Sequence, residues 1–326
     1  MLMEKVTYIP PDSKAETLAR AGGVFSMEHL IQTQGELEER EKDLDELSGL
    51  WAELDLTRDE QEELRAKTKT LWPLLNSLRG DENSIRFAKW RERVKSVNPN
   101  FQESNWKHSV VMVEKMGEMK RLFPELWKQL KLDSKRMVLM IMVHDVAEFL
   151  YGDMEAMDQV EGDNIQIKKD REAEAALLIA KNLSRERVRQ NEEDWGEEFK
   201  EILNEYEDRE TLGAAMVKML DVLSGDETFE REVMQCLADN REILQDEEME
   251  LALERNYQVN SQKRREYLDL FAKRGKEVLG LATETERQQP FVKQKALTDF
   301  YQLMNYLEDS PHQEENWREN RLSDGH

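Results

Sequence analysis

Apolar positions recur at helical spacing along most of the chain, and no alternating apolar–polar stretch persists. In the acidic stretch GELEEREKDLDEL, Leu37, Leu44 and Leu47 keep a heptad-like spacing, which predicts an exposed helix with one apolar seam. The pattern restarts after Leu56. Thr57 and Glu60 form a capping-box signature, and Leu64, Leu71, Leu74, Leu75 and Leu78 line one face of a helix that Arg79-Gly80 closes. A helix over about 84–97 ends at Asn98-Pro99-Asn100. Ser104 is placed to cap a helix carrying His108, Val111, Met112 and Met119, and Pro124 opens or kinks the next segment. Residues 134–150 are predicted as the central helix, because Met137 through Val143 leave it apolar on every side; Gly152 ends it. Amphipathic, acidic helices follow at about 164–183, 193–207 and 210–224. Beyond 230 the chain is charged and helical, interrupted near Gly275–Gly280 and Pro290, with a polar tail after Pro311.

Composition sharpens this into an all-α fold. The chain has 326 residues with only 14 Gly and 7 Pro, and it is dominated by residues that lose little rotamer freedom in a helix. One helical core over 85–235 is expected, between an acidic N-terminal extension (1–84) and a helical C-terminal extension with the polar tail (236–326). The 47 Lys and Arg against 70 Asp and Glu give a net charge of −23, which disfavours nucleic acid as a partner because no long basic run offers a phosphate-binding face. The apolar run Met137–Val143 falls far short of the roughly 20 residues that span a bilayer, so no membrane partner is expected. The N-terminus MLMEKVTYIPPD does not read as a signal peptide, and a cytoplasmic protein is expected. A lone Cys236 excludes an internal disulfide and a multi-thiolate zinc site.

The segment MVLMIMVHDVAEFLYGD poses the first chemical problem. His144 and Asp145 directly follow seven apolar residues, where an ionised carboxylate costs several kcal/mol unless a cation or strong donors meet it. Asp221 repeats the problem, lying on the same side of its helix as Ala214, Val217 and Leu220. A single divalent ion held by His108, His144, Asp145 and Asp221 answers both, with Mn, Co, Fe, Zn or Mg as the ions this ligand set suits. Of 5 histidines, His29, His312 and His326 lie in the extensions, so the apolar middle holds two, enough for one metal. Taken singly, each of these two also fits a core histidine bonded to a neighbour. Glu148, four residues after His144, and Asp153, just past Gly152, are placed to orient or deprotonate a metal-bound water; the plain alternative is two solvated carboxylates at a helix end. Lys218 is a candidate for phosphate or for an ion pair supporting a carboxylate, against an ordinary surface salt bridge.

Together His108, the run HDVAEFLYGD, the stretch NEYEDRET at 204–211 and VKMLD ending at Asp221 resemble the HD-domain phosphohydrolases, in particular their 5′-deoxynucleotidase branch and its eukaryotic relatives. The resemblance covers about residues 85–235. It implies an HD-domain helical bundle in which His108, His144, Asp145 and Asp221 bind one divalent metal while Glu148 and Asp153 assist the attacking water. It also implies a phosphate-contacting arginine, for which Arg91 and Arg93 are both candidates, and a small phosphorylated substrate, in first place a (deoxy)nucleoside 5′-monophosphate. A di- or triphosphate or alarmone hydrolase keeps the metal but needs further basic residues. From another class, a non-catalytic helical module, with metal only stapling helices, would bind the ion without turnover. The amphipathic extensions leave cover for the site, a homodimer contact or a partner surface equally open.

Overall fold

In a computed structural model, which describes residues 34–76, 105–148, 164–186, 194–228, 247–280 and 291–308, the chain is all-α. The described residues form ten α-helices and no strand: α1 (Gln34–Trp51), α2 (Arg58–Asn76), α3 (Asn105–Leu122), α4 (Pro124–Gln129), α5 (Ser134–Val143), α6 (Asn164–Glu186), α7 (Trp195–Asp208), α8 (Leu212–Thr228), α9 (Glu247–Val278) and α10 (Phe291–Glu308), with a short 3₁₀ turn at Ala52–Leu54 after α1. The predicted helix over 84–97, its closing turn and the cap at Ser104 lie outside the described residues, as do Leu78, Cys236, His29, His312 and His326.

Local chemistry sets many of the ends. The capping box before α2 forms reciprocally, the Thr57 amide donating to Glu60 Oε2 at 2.8 Å and the Glu60 amide to Thr57 Oγ1 at 3.3 Å. Pro124 takes the first position of α4, where its missing N–H costs nothing. Asp133 caps α5 by accepting from the Arg136 amide at 3.0 Å. Arg209, in the left-handed conformation, ends α7 with its amide on the Glu205 carbonyl, and Thr211 Oγ1 then accepts from the Ala214 amide to start α8. The tight connection folds α7 and α8 into a helical hairpin.

The core is built around α5, which packs against α2, α3, α7 and α8 and buries every residue from Met137 to Val143. It extends outward as one apolar cluster, from Leu44, Leu47 and Trp51 on α1 to Phe271 on α9 and Phe300, Leu303 and Leu307 on α10. Two sequence expectations need correcting. The acidic helix α1 is not simply exposed: Leu44 and Leu47 of its seam are fully buried against α2 and α3, and only Leu37 remains outside. The central helix does not run to residue 150. It ends at Val143, and His144–Ala147 form tighter turns in which the Val146 and Glu148 amides reach back only three residues, to Val143 and Asp145. The Ile141 carbonyl, which a continuing helix would offer to residue 145, is met instead by His144 Nδ1 at 2.7 Å and by Ser109 Oγ of α3 at 3.3 Å.

Candidate metal centre

Three helices bring the chemistry together at the C-terminal end of α5. Helix α3 contributes His108, α5 and its terminal turn contribute His144, Asp145 and Glu148, and α8 contributes Asp221. The partial negative charge at a helix C-terminus already favours a cation there. Asp221 Oδ1 lies 3.0 Å from His108 Nε2 and 3.8 Å from His144 Nε2, and the two imidazole rings are 5.5 Å apart between centroids. His108, His144 and Asp221 each offer a ligand atom, and these atoms all lie within 4.8 Å of one another. Asp145 stands beside this trio, with Oδ2 3.1 Å from His144 Nε2.

Hydrogen bonding fixes both imidazole rings. His144 Nδ1–H donates to the Ile141 carbonyl, which leaves a lone pair on Nε2. That Nε2 is buried, with Asp145 Oδ2 3.1 Å and Asp221 Oδ1 3.8 Å away. Asp221 Oδ1 can only accept, so His108 Nε2–H donates to it at 3.0 Å, while Ser224 Oγ lies 3.4 Å from His108 Nδ1 and 3.0 Å from the Asp221 carbonyl. A bound cation would take the place of the proton that His108 Nε2 shares with Asp221. Two imidazole nitrogens and a carboxylate oxygen within 4.8 Å of one another are N and O donors of the kind that fit a divalent ion. The titration of His144 reflects its neighbours: burial pushes its pKa down, but the charges of Asp145 and Asp221 outweigh this and hold it above its ordinary value.

Around the trio, Asn105, one turn before His108 on α3, donates from Nδ2 to Glu148 Oε2 at 2.9 Å. Lys168 of α6 approaches Glu148 Oε1 at 3.7 Å and Glu172 at 3.3 Å. Glu148, expected as an exposed or water-facing carboxylate, is therefore buried and anchored. Tyr206 of α7 donates to Asp221 Oδ2 at 3.2 Å and sets its ring edge-on to His144 with centroids 5.5 Å apart. Burial, with Asp221, Glu207 and Asp145 nearby, pushes the Tyr206 phenol well above its usual pKa, so it stays a donor. Lys218 does make an ion pair, with Glu207 at 2.9 Å, but from a buried position rather than on the surface, and its Nζ lies 3.5 Å from the centre of the Tyr206 ring. Asp221 is half-buried rather than buried, which leaves its carboxylate accessible. Arg91, Arg93 and Asp153 lie outside the described residues.

Sequence reasoning named the trio but missed Asn105, Tyr206, Ser224 and Lys168. Asn105 and Ser224 sit three residues from a proposed ligand on the same helix, a spacing that places side chains on one face and so could have flagged them. Tyr206 lies inside the quoted stretch NEYEDRET, yet nothing in that stretch reveals a contact with Asp221. Lys168 gave no signal beyond its charge.

With this geometry in hand, comparison with known proteins adds one finding. Residues 116–268 match the family described as the HD domain. The match supports an HD-domain protein. It starts in the second half of α3, after His108, takes in His144, Asp145 and Asp221, and ends within α9. HD domains in general bind divalent metals and are hydrolase-like, in keeping with the trio of two buried histidines and a half-buried aspartate. No curated protein and no solved structure matches the chain.

Proposed function

We propose that the chain is a metal-dependent phosphohydrolase acting on (deoxy)nucleoside 5′-monophosphates. The observation that carries the reading is the convergence of His108, His144 and Asp221, whose ligand atoms all lie within 4.8 Å of one another. His108 Nε2, His144 Nε2 and Asp221 Oδ1 would hold the ion, with Asp145 as the fourth ligand proposed from sequence. A divalent cation bound there supplies Lewis acidity, lowering the pKa of water and offsetting phosphate charge.

The remaining steps fall to the chain's own groups. Glu148, one oxygen anchored by Asn105, is the general base that takes the proton of the attacking water, and Asp153 assists it. Arg91 or Arg93 is the proposed partner of the phosphate dianion. Among the described residues, the cations beside the trio, Lys168 and Lys218, both contact carboxylates. Among the described residues this leaves little positive charge for a second or third phosphate, in keeping with a monophosphate reading.

The test is phosphate release from nucleoside 5′-mono-, di- and triphosphates with added Mn²⁺ or with EDTA. Release from monophosphates, abolished by EDTA and reduced at least about a hundredfold in His144→Ala, is the expected result. Equal rates for His144→Ala and wild type would remove the assignment, and metal binding without release from any substrate would favour the non-catalytic helical module.

A further inference from the structure

We propose that Tyr206 is a positioning residue of the metal centre: its hydroxyl holds Asp221 Oδ2, so that Oδ1 is the oxygen presented to the two imidazoles. The inference rests on the metal-centre reading and deepens it. Asp221 stands on a different helix from either histidine, and a carboxylate can rotate about its terminal bond. Which oxygen faces the histidines therefore depends on what fixes the other. Tyr206 Oη fixes Oδ2 at 3.2 Å, while Oδ1 lies 3.0 Å from His108 Nε2 and 3.8 Å from His144 Nε2.

The ring is itself held from two sides. The His144 ring meets it edge-on at 5.5 Å, and Lys218 Nζ sits 3.5 Å from its centroid. Lys218 is tied in turn to Glu207 at 2.9 Å, the residue after Tyr206 on α7. A buried ammonium over the face of a buried ring is a favourable cation–π contact, stronger for being desolvated. This assigns Lys218 to supporting Tyr206. The α7–α8 hairpin thus carries both the ligand, Asp221, and the group that orients it. A hydroxyl bonded to a ligating carboxylate tunes metal affinity without touching substrate.

Calorimetric titration of the EDTA-stripped, dialysed full-length chain with MnCl₂ tests this, together with the visible absorption of the Co²⁺-loaded protein. Wild type is expected to bind one Mn²⁺, and His144→Ala to lose it. Tyr206→Phe keeps the ring and should melt, metal-free, close to wild type. Its Mn²⁺ affinity should fall at least about tenfold, with a changed Co²⁺ absorption band. A purely structural tyrosine would move the melting temperature and leave affinity and spectrum alone. Lys218→Met keeps the hydroxyl but removes the cation from the ring, and it should lose affinity in the same direction to a smaller extent. Wild-type affinity and spectrum in folded Tyr206→Phe, while His144→Ala loses binding, overturn the role of Tyr206 and leave the metal centre standing. If Tyr206→Phe does not fold, wild-type affinity in Lys218→Met overturns it instead. Failure of wild type to bind Mn²⁺ at all overturns the metal centre itself, and the inference with it.

Discussion

His144 shows how one residue can belong to both the fold and the site. Its Nδ1 satisfies a backbone carbonyl that the end of α5 leaves open, and in doing so it turns Nε2 toward Asp221. His144 was legible as a candidate site residue, because a His-Asp pair after seven apolar residues is expensive without a purpose. Its tautomer was not, because that depends on where the helix stops. A second buried polar residue, Asp43 on α1, serves the fold alone, its Oδ2 accepting from Trp72 Nε1 of α2 at 2.9 Å. Burial raises its pKa above 3.8, with Glu46 acting in the same direction, against the Trp72 hydrogen bond and Lys42. The folded state thus binds the proton more tightly than the unfolded chain. The stability Asp43 contributes is greatest below 3.8 and is lost as the pH rises from there through the raised folded value, staying level above it. Asp43→Asn keeps an acceptor for Trp72 without the charge. Urea unfolding at a series of pH values is expected to show the variant more stable at pH 7, by on the order of 1 kcal/mol, with the gap closing toward pH 4. A variant less stable than wild type at every pH would contradict the assignment.

At the scale of elements, the helices that could be read from sequence were those with a chemical beginning or an unmistakable interior. The Thr57–Glu60 box announces α2, and the apolar run announces α5. The end of α5 was not legible because it is decided by Ser109, a residue of another helix, and by the His144 ring, both occupying one carbonyl. Close approaches between helices were equally hidden. A Cβ on Gly196, near the start of α7, would run into the Ala180 carbonyl and Ser184 Oγ of α6, and one on Gly275 of α9 would run into the Phe300 ring of α10. The carbonyl is backbone and cannot step aside, so α6 and α7 would have to separate. Gly196→Ala is expected to destabilise the protein by about 1–3 kcal/mol, the usual penalty of overpacking, and thermal unfolding would register this as a drop of several degrees. An unchanged melting temperature would mean that the two helices are not held so closely.

Taken whole, the molecule brings the His108, His144 and Asp221 trio together where α3, α5 and α8 meet. A chain with net charge −23 attracts divalent cations and repels anionic substrates, so any phosphate must be met by charge at the site, over a screening length of about 8 Å in physiological salt. The all-α class was legible from composition and periodicity alone. The role of α1 was not: the Leu44 and Leu47 seam marks a face but not its partner, and only the fold shows the partners to be α2 and α3. No described helix is long and apolar enough to cross a membrane. The convergence of His108, His144 and Asp221 on a single ion is open to direct observation by diffraction from Mn²⁺-grown crystals at a wavelength where manganese scatters anomalously. One strong anomalous peak among His108 Nε2, His144 Nε2 and Asp221 Oδ1 is the expected result. A map without a peak there, in crystals grown with excess Mn²⁺, would contradict the metal centre.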